Sequence, residues 1–229
     1  PPALRILGEE GSFWLLVGAS SIGKSTLLKL PMFAWGGQEL DSFNSTVNGL
    51  EGLFKSANDG VLFLDEIGEI GAEDLSKAIY MGANGVAKAR LDKKAEARKI
   101  IRFRMYALCT GEIGVQDKLA EKKIQGKAGQ FIRMPEMDAD RGKGFNTFDV
   151  LNINPDTGVQ FENGKAQAEY LEKHAKKNCG VVIDEFLERI AGKKGIGIEK
   201  YKEALLTRKE KWLKQKLTNN AGVEVARMA

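Results

Sequence analysis

The chain has 229 residues, of which 43% are apolar and 29% charged, with a net charge of +4. That composition suits one folded soluble domain or a core with a small appendage. It excludes a membrane span, since no apolar run approaches roughly 20 residues, and the opening "PPALRILGEE" lacks the basic start and apolar stretch of a secretory signal.

In chain order, "SFWLLV" reads as a short buried strand. A glycine-bearing loop follows, then a helix from Lys24 to about Ala34, which Pro31 is expected to bend or end. "WGGQEL" is a loop, "SFNST" a short strand and "NGLEGLFKSAN" a helix. "GVLFLDEIG" is a second buried strand ending in two acids. "GAEDLSKAIYMGAN" is a helix with acids in its first turn, where the helix dipole favours them. After a basic window, "FRMYALCTGE" is a third strand, "GVQDKLAEKKIQGK" an amphipathic helix, and "QFIRMPE" a fourth strand stopped by Pro135. Buried strands alternating with helices predict an α/β fold with a parallel sheet flanked by helices. The turn-rich "NINPDTGVQFENG" reads as a linker. Beyond it, 165–177, 181–191 and 198–216 read as helices, with Ile198, Tyr201, Leu205 and Trp212 on one face of the last. The predicted organisation is a core over 1–150, with a linker and a small C-terminal helical subdomain over 151–229.

Cys109 and Cys179 lie far apart, and with His174 the one histidine, no zinc-ligand pattern forms. His174 and Cys179 read as packing residues, and a reducing cytoplasm is the expected setting. Charge is concentrated between Gly85 and Arg104, where eight basic residues face Asp92 and Glu96. The remainder of the chain is net negative, so this one segment carries the whole positive excess. Such a segment is either a solvated face or the footprint of a phosphate backbone.

Gly18-Ala19-Ser20-Ser21-Ile22-Gly23-Lys24-Ser25, followed by Thr26, matches the phosphate-loop pattern G-x-x-x-x-G-K-[ST] between an apolar strand and a helix. In such a loop, backbone N–H groups close around phosphate oxygens, and side chains at Gly18 and Gly23 would obstruct that wrap. The helix offers its positive end to the same group. Lys24 is placed to reach the β- and γ-phosphates, and Ser25 to ligate Mg²⁺. Forty residues on, the strand "VLFLD" delivers Asp65 and Glu66. Asp65 is the candidate for holding Mg²⁺ and Glu66 for polarising an attacking water. Paired acids here favour a water-activating ATPase over a small-molecule kinase. Thr110, ending the third strand, is the candidate γ-phosphate sensor; a plain strand-end turn is the alternative.

Taken together, "GASSIGKST", "TVNGLEGL", "NDGVLFLDEIGEI", "AIYMGANGVAKAR", "LCTGEI" and "AGQFIRMPEMDAD" resemble the bacterial and phage family known as domain of unknown function 927. The similarity runs densely from Leu4 to Val150 and more weakly to Ile190. It implies a P-loop NTPase of the AAA+ type, helicase-like and hexameric, allied to minichromosome-maintenance helicases and found in mobile elements. ATP and Mg²⁺ are the implied ligands. The resemblance implies a hairpin over 85–102 carrying Lys88 into a central channel against single-stranded DNA, with Arg90, Lys93 and Lys94 assisting. It also implies a transition-state arginine supplied to a neighbouring subunit. Arg133 is the candidate, Lys127 lies nearer the helix end, and Gln130 stands where comparable helicases often carry arginine. The 151–229 region would be lid-like, although no sensor arginine is evident in it. Members usually carry a long N-terminal region, which leaves open an excised domain, a truncated homologue or a reduced natural form. The expected function is an ATP-hydrolysing motor on DNA. Two alternatives stand beside it: an ATP-controlled binding or assembly module that does not unwind, and a monomeric P-loop NTPase or kinase.

Overall fold

A computed structural model describes residues 2–88, 101–191 and 195–218. It is α/β, built on five parallel strands: β1 (Ser12–Val17), β2 (Asp41–Ser42), β3 (Val61–Asp65), β4 (Tyr106–Gly111) and β5 (Glu136–Asp138). Their order across the sheet is β2-β3-β4-β1-β5, with β1 paired to both β4 and β5. Parallel neighbours require crossovers, and helices supply them: α2 (Lys24–Ala34) after β1, α3 (Val47–Ser56) after β2 and α4 (Ala72–Asn84) after β3. A short helix, α1 (Pro2–Leu7), precedes the sheet.

Strand residues are apolar on both faces because both faces are covered. Phe13, Leu15, Leu62, Leu64, Ala107 and Cys109 pack with α3 and α4 around Leu50, Phe54, Leu75 and Ile79. Phe63 and Leu108 face the other way, onto Leu28, Met32 and Phe33 of α2. Complete burial pushes the Cys109 thiol well above its ordinary pKa. Thr46 starts α3 by accepting the Gly49 amide at 3.3 Å. The helix α2 continues three residues past Pro31, and the Trp35 amide closes it on the Pro31 carbonyl at 2.9 Å.

Three local expectations are corrected. The strand expected at 42–46 is reduced to Asp41–Ser42. The helix expected over 114–127 stops after one and a half turns, as α5 (Val115–Ala120). Lys123 adopts φ 53°, and the Ile124 amide returns to the Leu119 carbonyl at 3.1 Å, a helix-ending turn that tucks Ile124 onto the core. The fourth strand does not cover 130–136. Ala128–Arg133 is a helix, α6, and β5 begins after Pro135. Gln130, only 1% exposed, decides this: its Oε1 accepts the Lys127 amide at 2.7 Å and its Nε2 donates to Ser76 Oγ at 2.8 Å. Pro135 opens the strand pairing instead of stopping it, since its carbonyl accepts the Leu15 amide at 3.0 Å.

After β5 the chain crosses the C-terminal end of the sheet to α7 (Gly164–Lys177), α8 (Val181–Ala191) and α9 (Ile198–Thr218). The 151–163 stretch is tied down: Ile153 bridges Gln160, and buried Gln167 accepts the Asn152 amide and donates to the Val150 carbonyl. The helix α7 packs directly on α2, and α9 packs on α1 and α8. No helix among the described residues is long and apolar enough to cross a membrane.

Candidate functional site

At the C-terminal end of β1 the chain turns through Gly18–Gly23 into α2. Gly23 has φ 98° and caps the helix without any side-chain bond, so the first-turn amides of α2 have no intrahelical acceptor and face the turn. A Cβ on Gly18 would meet the Ile22 side chain at 2.6 Å, and one on Gly23 would meet Thr147 Oγ1 at 3.2 Å. Ser21 also has positive φ, 63°. The loop is therefore tightly packed at both glycines. Buried Lys24 lies across it, its Nζ donating to the carbonyls of Gly18 at 2.9 Å and Ala19 at 2.8 Å.

The acid pair comes from β3, two strands away, and meets the loop directly. Ser25 Oγ donates to Asp65 Oδ1 at 3.2 Å. Thr110, at the end of the intervening strand, donates to the same Asp65 oxygen and accepts the Glu66 amide at 3.1 Å. Ser25, Asp65, Thr110 and Glu66 thus form one hydrogen-bonded chain. Glu66 has φ 57° and ψ 85°, a conformation costly for a residue with a side chain. It ends β3 and throws the carboxylate sideways, where Oε1 accepts the Gly68 amide at 3.0 Å.

A cleft of about 590 Å³ lies over these groups. Ser20, Ser21, Ile22, Gly23, Lys24, Ser25 and Thr26 form one wall and Asp65, Glu66 and Glu112 another. Gly18 and Ala19 stand behind it as the acceptors of Lys24. The third wall was not legible in the sequence: Asn146, Thr147 and Phe148 from the chain after β5, with Lys165, Ala168, Glu169 and Glu172 of α7. Glu172 binds α7 to α2, accepting from Lys29 Nζ at 2.8 Å and Thr26 Oγ1 at 3.4 Å. The available signal was spacing: 165, 169 and 172 fall on one helical face.

Residues 1–102 match the family model described as Domain of unknown function (DUF927). The match includes Lys24, Ser25, Asp65 and Glu66 and stops short of Thr110 and Arg133. No curated protein matches the chain. Among solved structures, NtrX from Brucella abortus in complex with ADP is similar at 12% identity, over 94% of this chain and 59% of that one, with a TM-score of 0.40. A second NtrX structure from the same organism is similar at 11% identity, over 84% of this chain and 51% of that one, with a TM-score of 0.38. The chain spans between one half and three fifths of the NtrX chains it resembles.

The remaining candidates lie elsewhere. Arg133 ends α6, on the side of the sheet where the strands begin. Its Nε donates to Asn84 Oδ1 at 3.3 Å, another guanidinium nitrogen donates to the Gly129 carbonyl at 3.1 Å, and the Tyr80 ring lies 5.4 Å away. It is out of reach of its own loop. Gln130 is buried and committed to Ser76 and Lys127. Lys88 is exposed and reaches Asn48 Oδ1 at 3.4 Å. Near the two ends of the basic window, Val86 and Arg102 form an antiparallel bridge, and Ala87 donates to the Ile101 carbonyl at 3.0 Å. Arg90, Lys93 and Lys94 fall outside the described residues. Among the described residues no group of three or more His, Cys, Asp or Glu could hold a metal ion.

Proposed function

We propose that the chain is an AAA+-type P-loop ATPase module, the motor part of a helicase-like protein that acts on single-stranded DNA in the cytoplasm during replication of a mobile element. The observation that carries this reading is the hydrogen-bonded chain Ser25–Asp65–Thr110–Glu66 beside the glycine turn that opens α2. A phosphate loop, a metal-holding acid and a water-polarising acid meet at one place, as the hydrolysis of a triphosphate requires, with buried Thr110 tying the two acids together instead of facing the cleft. The strand order supports the assignment, with the loop strand between β4 and β5 and the acid strand one place beyond β4.

The residues fit a magnesium-bound triphosphate. Two lysines, Lys24 and Lys165, line the cleft against five carboxylates, Asp65, Glu66, Glu112, Glu169 and Glu172. A bare polyanion would be repelled by that excess, whereas one carrying a divalent cation suits it. Mg²⁺ neutralises phosphate charge when bound, and Ser25 and Asp65 are the residues that would hold it. Lys24 turns from its loop carbonyls to the phosphates. Glu66 orients the attacking water, and Thr110 holds Asp65 and the Glu66 backbone in place. Arg133 serves a neighbouring protomer's site in a ring, taken to be a hexamer.

The DNA assignment rests on the charge of the 85–104 window, the antiparallel pairing at its base and the exposure of Lys88. Contacts of this kind track phosphates without reading sequence. Steady-state ATP hydrolysis with and without single-stranded DNA is the test. The expected result is stimulation by DNA that falls away in Lys88→Ala while basal hydrolysis persists. Hydrolysis indifferent to DNA, with Lys88→Ala silent, would point to an assembly module instead. A strictly monomeric enzyme in the presence of a non-hydrolysable ATP analogue would point to a kinase-like NTPase.

A further inference from the structure

Lys118 lies on α5, outside the cleft, and is 6% exposed. A lysine is seldom buried unless its ammonium is paired. Here Nζ donates to the Gly68 carbonyl at 2.8 Å and pairs with the half-exposed Glu121 carboxylate at 2.9 Å. Gly68 is also the residue whose amide holds Glu66 Oε1 at 3.0 Å. The ammonium therefore grips, through the carbonyl, the residue that aims the carboxylate through its N–H.

The turn needs such a grip. It is a single 3₁₀ turn, Ile67–Glu69, entered through the unfavourable backbone of Glu66. Its own bonds are few: Glu69 to the Glu66 carbonyl at 3.1 Å and Ile70 to the Ile67 carbonyl at 3.4 Å. Ile67 anchors its first residue in the core at 0% exposure, but Gly68 brings no side chain to pack. Two charge-assisted bonds hold Gly68, one to the Glu66 carboxylate and one from Lys118, and of the two only the bond from Lys118 ties it to another element.

We propose that Lys118 is a positioning residue for Glu66, holding Gly68 from α5 so that the carboxylate keeps the orientation in which it meets the attacking water. This rests on the reading of Glu66 as the water-polarising group. Loss of alignment by about 1 Å is costly for such a step. Lys118→Met, which preserves the aliphatic stem, is expected to lower kcat between about tenfold and a hundredfold while leaving the KM for ATP and the binding of a fluorescent ATP analogue unchanged. Glu121→Gln removes the ion pair but spares the Gly68 bond, and is expected to retain wild-type kcat. On a Glu66→Gln background, Lys118→Met should cause no further loss.

Wild-type kcat in a folded Lys118→Met, equal losses in Lys118→Met and Glu121→Gln, or a loss that persists on the Glu66→Gln background would each overturn the positioning role. Should Lys118→Met fail to fold, Lys118→Gln, polar but too short to reach Gly68, takes its place with the same expected loss. A wild-type chain without hydrolysis would instead overturn the ATPase reading, and a Glu66→Gln chain as active as a hydrolysing wild type would overturn the reading of Glu66 as the water-polarising group.

Discussion

Glu66→Gln is expected to bind ATP and Mg²⁺ as wild type does and to hydrolyse ATP slower by about 10²–10⁴. The split follows from geometry. Glutamine has the same shape and keeps the amide oxygen that accepts from Gly68, and the Glu66 backbone remains fixed by Thr110 and by the turn. Only the capacity to draw a proton from water is lost. Single-turnover phosphate release alongside equilibrium nucleotide binding separates the two quantities. Equal losses in binding and rate would make Glu66 a ligand or a structural residue.

Lys24→Ala is expected to act earlier, on binding. The ammonium is the only cation in the loop and is already buried, with its desolvation offset by two carbonyls. Handing it to phosphate oxygens exchanges neutral acceptors for charged ones. Removing a buried, hydrogen-bonded charge partner costs about 2–5 kcal/mol. Triphosphate affinity should fall by that amount, and diphosphate affinity by less, because the proposed contacts of Lys24 include the γ-phosphate. Calorimetric titration with ATP and ADP measures both. An unchanged ATP affinity, or equal losses for the two nucleotides, contradicts the assigned contact.

The parts of the site that were legible in the sequence are contiguous in it. The loop from Gly18 to Thr26 and the Asp65–Glu66 pair each lie at the end of an apolar strand, and a parallel sheet brings such ends together. Thr110 was legible for the same reason, although its double role toward Asp65 and Glu66 required coordinates. The segment 128–133 was not legible, since Phe131 and Ile132 before a proline suit a strand as well as a helix. The choice falls to Gln130, whose partners are its own cap and a serine 54 residues away. The third wall of the cleft is illegible in the sequence for a related reason. Glu172 matters only because α7 packs on α2, and Thr147 only because it stands against Gly23, long-range contacts with no local trace. Lys118 likewise reads as an ordinary charge on an amphipathic helix until Gly68 is seen beside it.

The most direct test is a titration of ATP, with and without Mg²⁺, onto the wild-type chain and Asp65→Asn. If a magnesium-bearing triphosphate occupies the space between Lys24, Ser25 and Asp65, Mg²⁺ will tighten binding to the wild type, and that gain will vanish in Asp65→Asn. No binding to the wild type, or a magnesium gain that survives in Asp65→Asn, would contradict it.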